Sequence, residues 1–507
     1  MKKKLITLLT LIISVLFLVS CGGGSSSGDS KADKDTLVVT QGSDAKSLDL
    51  QRTNDNVSSR VGVQIYDTLV DQTEEMEIIP GLAESWEQPD ATTAIFHLRK
   101  GVKFHNGEEL KASDVKFTIE RAKASPQVAE IIEAVSSVET PDDYTVIVKT
   151  ESPFAPLLNH LAHTALSVLN EKAVKEAGDS YGQHPVGTGP YKFVNWISGD
   201  KIELEANEDY FRGAPKIKRI VFRNVPEQSN RIIGLETGEI DLVYDIEGLD
   251  KEKVKTDDRF TYVENPGLSM TYLGFNLKKD LFKDKRVRQA IAYGIDTKPI
   301  VDAVFNGSAT EADSIIPPGV FAQYGSNSYS YNPEKAKQLL AEAGYPNGFK
   351  TKLWINDSPV RRDIAVIVQD QLKQIGIDIE IETLEWGAYL DRTATGEHDM
   401  FLLGWGTVTG DPDYGMNALI NTDTQGGAGN RSFYSNKKVD ELLKVGKSTV
   451  DPDKRAEIYK EIQEIVQEEL PMYFICYPNQ NAVMIKSLKG FKLSPAGHHD
   501  LYGLYFE

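Results

Sequence analysis

Leu402–Gly415 is the stretch whose residue types and spacing could do chemistry. An apolar, strand-like run leads into Trp405, set between Gly404 and Gly406, and then through Thr407 and Gly410 to Asp411-Pro412-Asp413. A strand that opens into glycines brings backbone N–H and C=O groups close to a bound molecule. The indole adds a flat packing face, and the carboxylates offer either a cation anchor or the cap of a helix begun at Pro412. This is the chemistry of capturing a small solute. Turnover has no comparable support. His160 and His163 stand three apart on a predicted helix, but no acid or thiol lies beside them in the chain, so a structural role is expected. Asp411-Pro412-Asp413 lacks the spacing and terminal Glu of a calcium loop. The chain carries no nucleophile elbow, zinc-protease helix, CxxC or phosphate-binding loop. The expectation is a protein that is not an enzyme and holds no metal or cofactor.

The elements that must position these groups alternate between strand and helix. Thr36–Thr40 and Tyr144–Val148 are β-rich, and 94–99 alternates with Ala94, Phe96 and Leu98 on its apolar face. Ile377, Ile379 and Ile381 alternate with Asp378, Glu380 and Glu382 in a half-buried strand. Asn332-Pro333 starts a helix with Ala336, Leu339, Leu340 and Ala343 inward, ended by Gly344. Val287, Ala290 and Ile291 mark a second helix, with Arg286 and Arg288 off that face. Ser358-Pro359 starts a third, which runs to about Ile375 and feeds the Ile377 strand as a parallel βαβ unit. His498-His499 is expected at the surface.

The N-terminus reads as an export address. Lys2, Lys3 and Lys4 precede an apolar run over 5–19, and Leu18-Val19-Ser20-Cys21 places small residues before a cysteine. This arrangement is that of a bacterial lipobox, with residues 1–20 removed and Cys21 lipidated. Acyl chains contribute about 0.8 kcal/mol per buried methylene, which tethers a soluble body to a membrane. Residues 21–35, rich in Gly, Ser and charge, form the tether. With Cys21 lipidated, Cys476 stands alone in an apolar run and is expected as a buried structural thiol. The 507 residues carry a formal net charge of −19, which argues against nucleic acid as a partner. The length beyond the tether suggests two or three domains.

Four blocks resemble one family in its order along the chain. They are 82–122 (with Trp86, the 94–99 strand, Gly101-Val102-Lys103-Phe104 and Asn106-Gly107), 184–193 (HPVGTGPYKF), 282–296 (FKDKRVRQAIAYGID) and 332–349. The chain is thereby identified as similar to the extracellular solute-binding proteins, family 5, of ABC importers. The resemblance implies an α/β, two-lobed periplasmic-binding-protein-like fold (type II, cluster C) with an extra inserted domain. Domain I would comprise 36–75, 184–275 and 487–507, domain II 76–183 and domain III 276–486, closing about a hinge on a solute. The partners implied are the importer's permease and ATPase and, through the anchor, the membrane; the protein would be a monomer.

Residues 157–165 with 183–190, and the Leu402–Gly415 stretch, look most like the glutathione-binding branch. In the dipeptide and oligopeptide branches an Asp four residues before the Pro of this stretch holds the ligand ammonium. Here that position is Val408, which cannot accept a hydrogen bond or balance a charge. The resemblance therefore favours glutathione or another small peptide-like solute. Alternatives within the family are di- or oligopeptides, metal chelates or haem; a secreted peptidase or an adhesin stands outside it. The expected contacts are Trp405 as a wall with Gly406 and Thr407 beside it, Asp411 toward an ammonium, and Arg60 and Arg431 toward carboxylates. Tyr272 and Asn276 are expected where the chain crosses between lobes. Arginine suits a carboxylate because its planar fork donates two parallel bonds.

Overall fold

A computed structural model describes residues 34–246, 248–325, 329–427 and 429–507. The signal segment, Cys21 and nearly all of the expected tether lie outside the described residues.

The long strand Met472–Ile485 organises the protein. Its aromatic and β-branched residues suit a strand buried on both faces. Its first half pairs antiparallel with Ser269–Phe275, and its second half with Phe260–Pro266 and Leu242–Tyr244. One twelve-stranded mixed sheet therefore runs from Ile377–Leu384 at one edge, through Met472–Ile485, to Tyr191–Ile197 at the other. Gly267 lies between the two strands that flank this crossing. A Cβ there would sit 2.7 Å from the carbonyl oxygen of Pro478, so only glycine lets the chain pass so close.

The expected βαβ unit is present. Phe349–Asn356 and Ile377–Leu384 pair in parallel, Phe349 opposite Ile377, around the helix Pro359–Lys373. Ser358 caps that helix by accepting from the Arg361 N–H, and Ile364, Ala365, Val368 and Leu372 face the core. The helix Pro333–Glu342 starts on the Asn332 cap and buries Ala336, Leu339 and Leu340.

Between the strands Thr36–Gln41 and Tyr191–Ile197 the chain builds a separate four-stranded antiparallel sheet. Ala94, Phe96 and Leu98 point from it into a core shared with Val115, Ile119 and Ala122 of the helix Ala112–Lys123. This is the two-lobed α/β class with an inserted layer that the chain's blocks imply.

Two expectations need correction. Arg288 does not stand off the core: it is 4% exposed, and its guanidinium donates to the carbonyls of Phe282, Glu469 and Leu470. Burial lowers its pKa to about 10, and the carbonyls it satisfies include those at the C-terminal end of the helix Pro452–Glu469. His498-His499 is not at the surface either. His499 is buried against the Tyr244 ring, 4.8 Å between centroids. Cys476 is buried within the sheet core, as expected. Among the described residues no helix is long and apolar enough to cross a membrane.

Candidate functional site

A cavity of about 560 Å³ opens where the Met472–Ile485 strand changes partners. One wall comes from the strand Met400–Gly406 and the start of the helix Pro359–Lys373; the facing wall comes from the start of the helix Asn56–Ile65 with Asp245 and His498. The strand Met400–Gly406 shows why a wall forms here. It pairs with Ser269–Phe275 along its whole length, but its parallel pairing with Phe349–Asn356 stops at Phe401. Leu403, Gly404, Trp405 and Gly406 therefore line the cavity along an unpaired edge.

Trp405 packs its ring 5.5 Å from that of Tyr414, whose hydroxyl donates to Asn54 Oδ1 at 3.2 Å and whose ring lies 4.9 Å from His163. These contacts join the two walls. Gly415 makes the packing possible, because a Cβ there would stand 2.8 Å from Thr407 Oγ1 and 3.4 Å from Trp405 Nε1. Val408 also lines the cavity and presents only methyl groups to it.

The charges divide unevenly. Arg60 is buried and clamped by Asp245, with Nη1–Oδ2 at 2.5 Å and Nη2–Oδ1 at 3.1 Å, while its Nε donates to the Gly497 carbonyl at 2.9 Å. Burial opposes the Arg60 charge, but Asp245 outweighs it and leaves the guanidinium pKa above its ordinary value. On the facing wall Arg361 donates to Asn356 Oδ1 at 2.7 Å and lies over the Trp386 ring at 5.4 Å. Among the described residues no carboxylate forms an ion pair with it, and burial lowers its pKa. Arg431 lines the same wall, donating to Thr393 Oγ1 at 2.7 Å. His163 and His498 stay neutral near pH 7, since burial pulls both down to about 3. His163 Nδ1 accepts from the Ala165 N–H, which leaves the proton on Nε2, and that atom has no partner. Asn54 Nδ2 is likewise a buried donor without an acceptor, and both residues line the cavity.

The cavity is therefore lined by buried donors on Asn54 and His163 that lack acceptors. Residues 77–427 match the family described as bacterial extracellular solute-binding proteins, family 5 Middle. The chain belongs to that family. Heme-binding protein A of Haemophilus influenzae is 32% identical, over 99% of both chains. Glutathione-binding protein GsiB of Pectobacterium atrosepticum is 31% identical, over 92% of both. The periplasmic binding protein DppA of Helicobacter pylori, solved with the peptide STSA, superposes with a TM-score of 0.88 at 32% identity, covering 94% of this chain and 98% of that one. The relatives are solute-binding proteins rather than enzymes.

In this solute-binding protein the expected contacts separate into two groups. Arg60, Trp405, Gly406 and Arg431 line the cavity. Tyr272, Asn276, Thr407 and Asp411 lie behind it. Strand alternation turns Tyr272 away from the cavity that its neighbour Thr271 lines, into the core against Phe401. Asn276 is spent on the carbonyls of Gly396 and His398. The Thr407 N–H is used by the Leu268 carbonyl at 2.7 Å. Asp411 caps the helix Pro412–Ile420 and is gripped by Arg455. His160 has a structural setting, with Nδ1 2.6 Å from the Ile131 carbonyl.

Sequence reasoning missed Arg361, Trp386, Asn54 and Asp245. A signal for Arg361 was present. It stands in the first turn of the helix that follows a parallel strand, and ligands of open α/β sheets gather at the carboxyl ends of such strands.

Proposed function

We propose that this chain is the lipid-anchored receptor of an ABC importer, and that it captures a small peptide-like solute carrying carboxylates, glutathione foremost. The observation that carries the reading is Arg361: a guanidinium on the cavity wall, without a carboxylate of the described chain, beside Arg431. Two guanidinium charges on one wall suit a solute with free carboxylates, because a carboxylate accepts charge-assisted bonds from arginine and balances its charge. Glutathione brings two carboxylates and several carbonyls, which also answer the donors on Asn54 and His163. Cavities of about 300–1,000 Å³ accommodate solutes of this size. Val408 supports a solute whose ammonium does not sit beside the Trp405 wall. The glutathione-binding relative, similar over nearly the whole chain, supports the same choice.

The receptor delivers its solute to a permease and ATPase formed by other chains, and works as a monomer. The strand crossings at 266–269 and 478–480 support a hinge between two lobes, with 76–183 inserted into the first. Cys21 is the lipidated residue, and Cys21→Ala is expected to move the protein from the membrane to the soluble fraction.

Calorimetric titration with reduced glutathione, oxidised glutathione and a dipeptide panel tests the substrate. Binding of glutathione tighter than any dipeptide is expected, with a rise in melting temperature that follows ligand excess over Kd. Absence of heat from all of them would sink the assignment. A haem reading draws on the name of one relative, but His163 Nδ1 accepts from the Ala165 N–H, which puts a proton and not a lone pair on Nε2, and His498 Nε2 is spent on Asn56 Oδ1 at 3.0 Å.

A further inference from the structure

Among the described residues three carboxylates line the cavity, and their settings differ. Asp55 is the cap of the helix Asn56–Ile65, accepting from the Ser58 N–H at 2.9 Å and the Thr53 hydroxyl at 2.5 Å. Asp391 sits at the rim, its side chain 76% exposed, 3.5 Å from Lys46. Asp245 is unlike both. Its side chain is 49% exposed, yet Arg60 fixes it from behind with two bonds. Its backbone is held at φ 56°, a left-handed conformation that non-glycine residues adopt only where the surrounding structure imposes it. The strain is sustained by the strand Leu242–Tyr244 on one side and by the Asp245 N–H donating to the Asn481 carbonyl at 3.1 Å.

Resting on the solute class proposed above, we propose that Asp245 receives the solute's ammonium group. The solute then lies across the cavity, with its amine on the Asp245 wall and its carboxylates on the Arg361–Arg431 wall.

The geometry supplies each part of this. An ionised carboxylate has about four acceptor directions, and the Arg60 fork takes two. Arg60 cannot turn to the solute instead: it is buried, held through Nε by Gly497, and laid over the Tyr244 ring at 5.1 Å. It therefore acts as a positioning residue, keeping Asp245 charged and oriented, with the Arg231 guanidinium adding to the positive field behind that carboxylate. Gln480 adds a second acceptor, since it lines the cavity and its Oε1 has no hydrogen-bond partner. The opposite wall carries Arg361 and Arg431 and, at Val408, no acceptor at all. A buried ammonium needs a carboxylate, and Asp245 is the one placed to give it.

The test compares amine-bearing and amine-blocked probes on the full chain. Glutathione and the dipeptide Met-Leu, each with its N-acetyl form, are titrated into wild type, Asp245→Asn, and the double variant Arg60→Met/Asp245→Asn, which removes the Arg60 charge together with its carboxylate partner. Wild type is expected to favour the free amine by about 30-fold or more, and both variants to hold the two forms within about threefold of each other. Circular dichroism and melting curves identify a variant that has failed to fold, in which case the other decides. Equal binding of blocked and unblocked probes by wild type would overturn the proposal, as would variants that keep wild-type discrimination. No binding of any probe by wild type would instead overturn the solute class, and this proposal with it.

Discussion

Arg455 donates from Nη1 and Nη2 to the two oxygens of Asp411, each at 2.7 Å, with both side chains buried. Asp411 in turn caps the helix Pro412–Ile420, so one ion pair ties that helix and the Trp405 wall before it to the helix Pro452–Glu469. Removing only the cation would leave a buried carboxylate unpaired. Arg455→Met is therefore expected to cost about 3–5 kcal/mol, measured by denaturant unfolding, and Arg455→Met/Asp411→Asn distinctly less. Equal stability of Arg455→Met and wild type would show that the pair does not hold the wall.

Arg361 poses the opposite case. It has no carboxylate partner to lose, so Arg361→Gln is expected to leave the unliganded melting temperature within about a degree or two of wild type. Its affinity for glutathione should fall about 10- to 100-fold, the worth of one charge-assisted contact of about 1.5–3 kcal/mol. Titration of both proteins at equal ionic strength checks this. Unchanged affinity would remove Arg361 from the site.

How far the sequence carries can be judged from these same residues. The Ser358 cap, the apolar stripe behind it and the Ile377 alternation were legible, because each is a local signal with a fixed period. Trp405 was legible through the family resemblance, which implies a pocket wall at this position, and it does line the cavity. Tyr272 was misplaced by one residue of strand phase, which sends a side chain to the other face. Asp245 was illegible. Its importance comes from Arg60, 185 positions away in the chain, and from a left-handed backbone that no neighbouring residue type announces. Arg288 failed for a related reason: two of the carbonyls it satisfies, those of Glu469 and Leu470, belong to a helix end far along the chain.

Gly415 gives a test of the packing behind the wall. A methyl group there would press on Thr407 Oγ1 at 2.8 Å and approach Trp405 Nε1 at 3.4 Å. The helix backbone itself accepts alanine well, so any loss comes from this contact. Gly415→Ala is expected to lower stability by about 1–3 kcal/mol and to shift Trp405 fluorescence and weaken solute binding. A variant with wild-type emission and affinity would mean that the indole does not depend on this glycine.

Glu130, in the short helix Ala129–Ile132, makes a pH-dependent contribution whose sign can be stated in advance. Burial first, and then the nearby Glu133 charge, raise its pKa to about 7 from the ordinary 4.5, and its Oε1 has no partner. Between those values the folded protein keeps a proton that the unfolded chain has released. Stability therefore falls as pH rises through this window, and the penalty is complete above about pH 7. Glu130→Gln removes the titration while keeping the shape. Its stability should match wild type near pH 4 and exceed it by up to about 3 kcal/mol near pH 8. Denaturation midpoints of both proteins across that range decide the matter, and a difference that is flat with pH would refute the assignment.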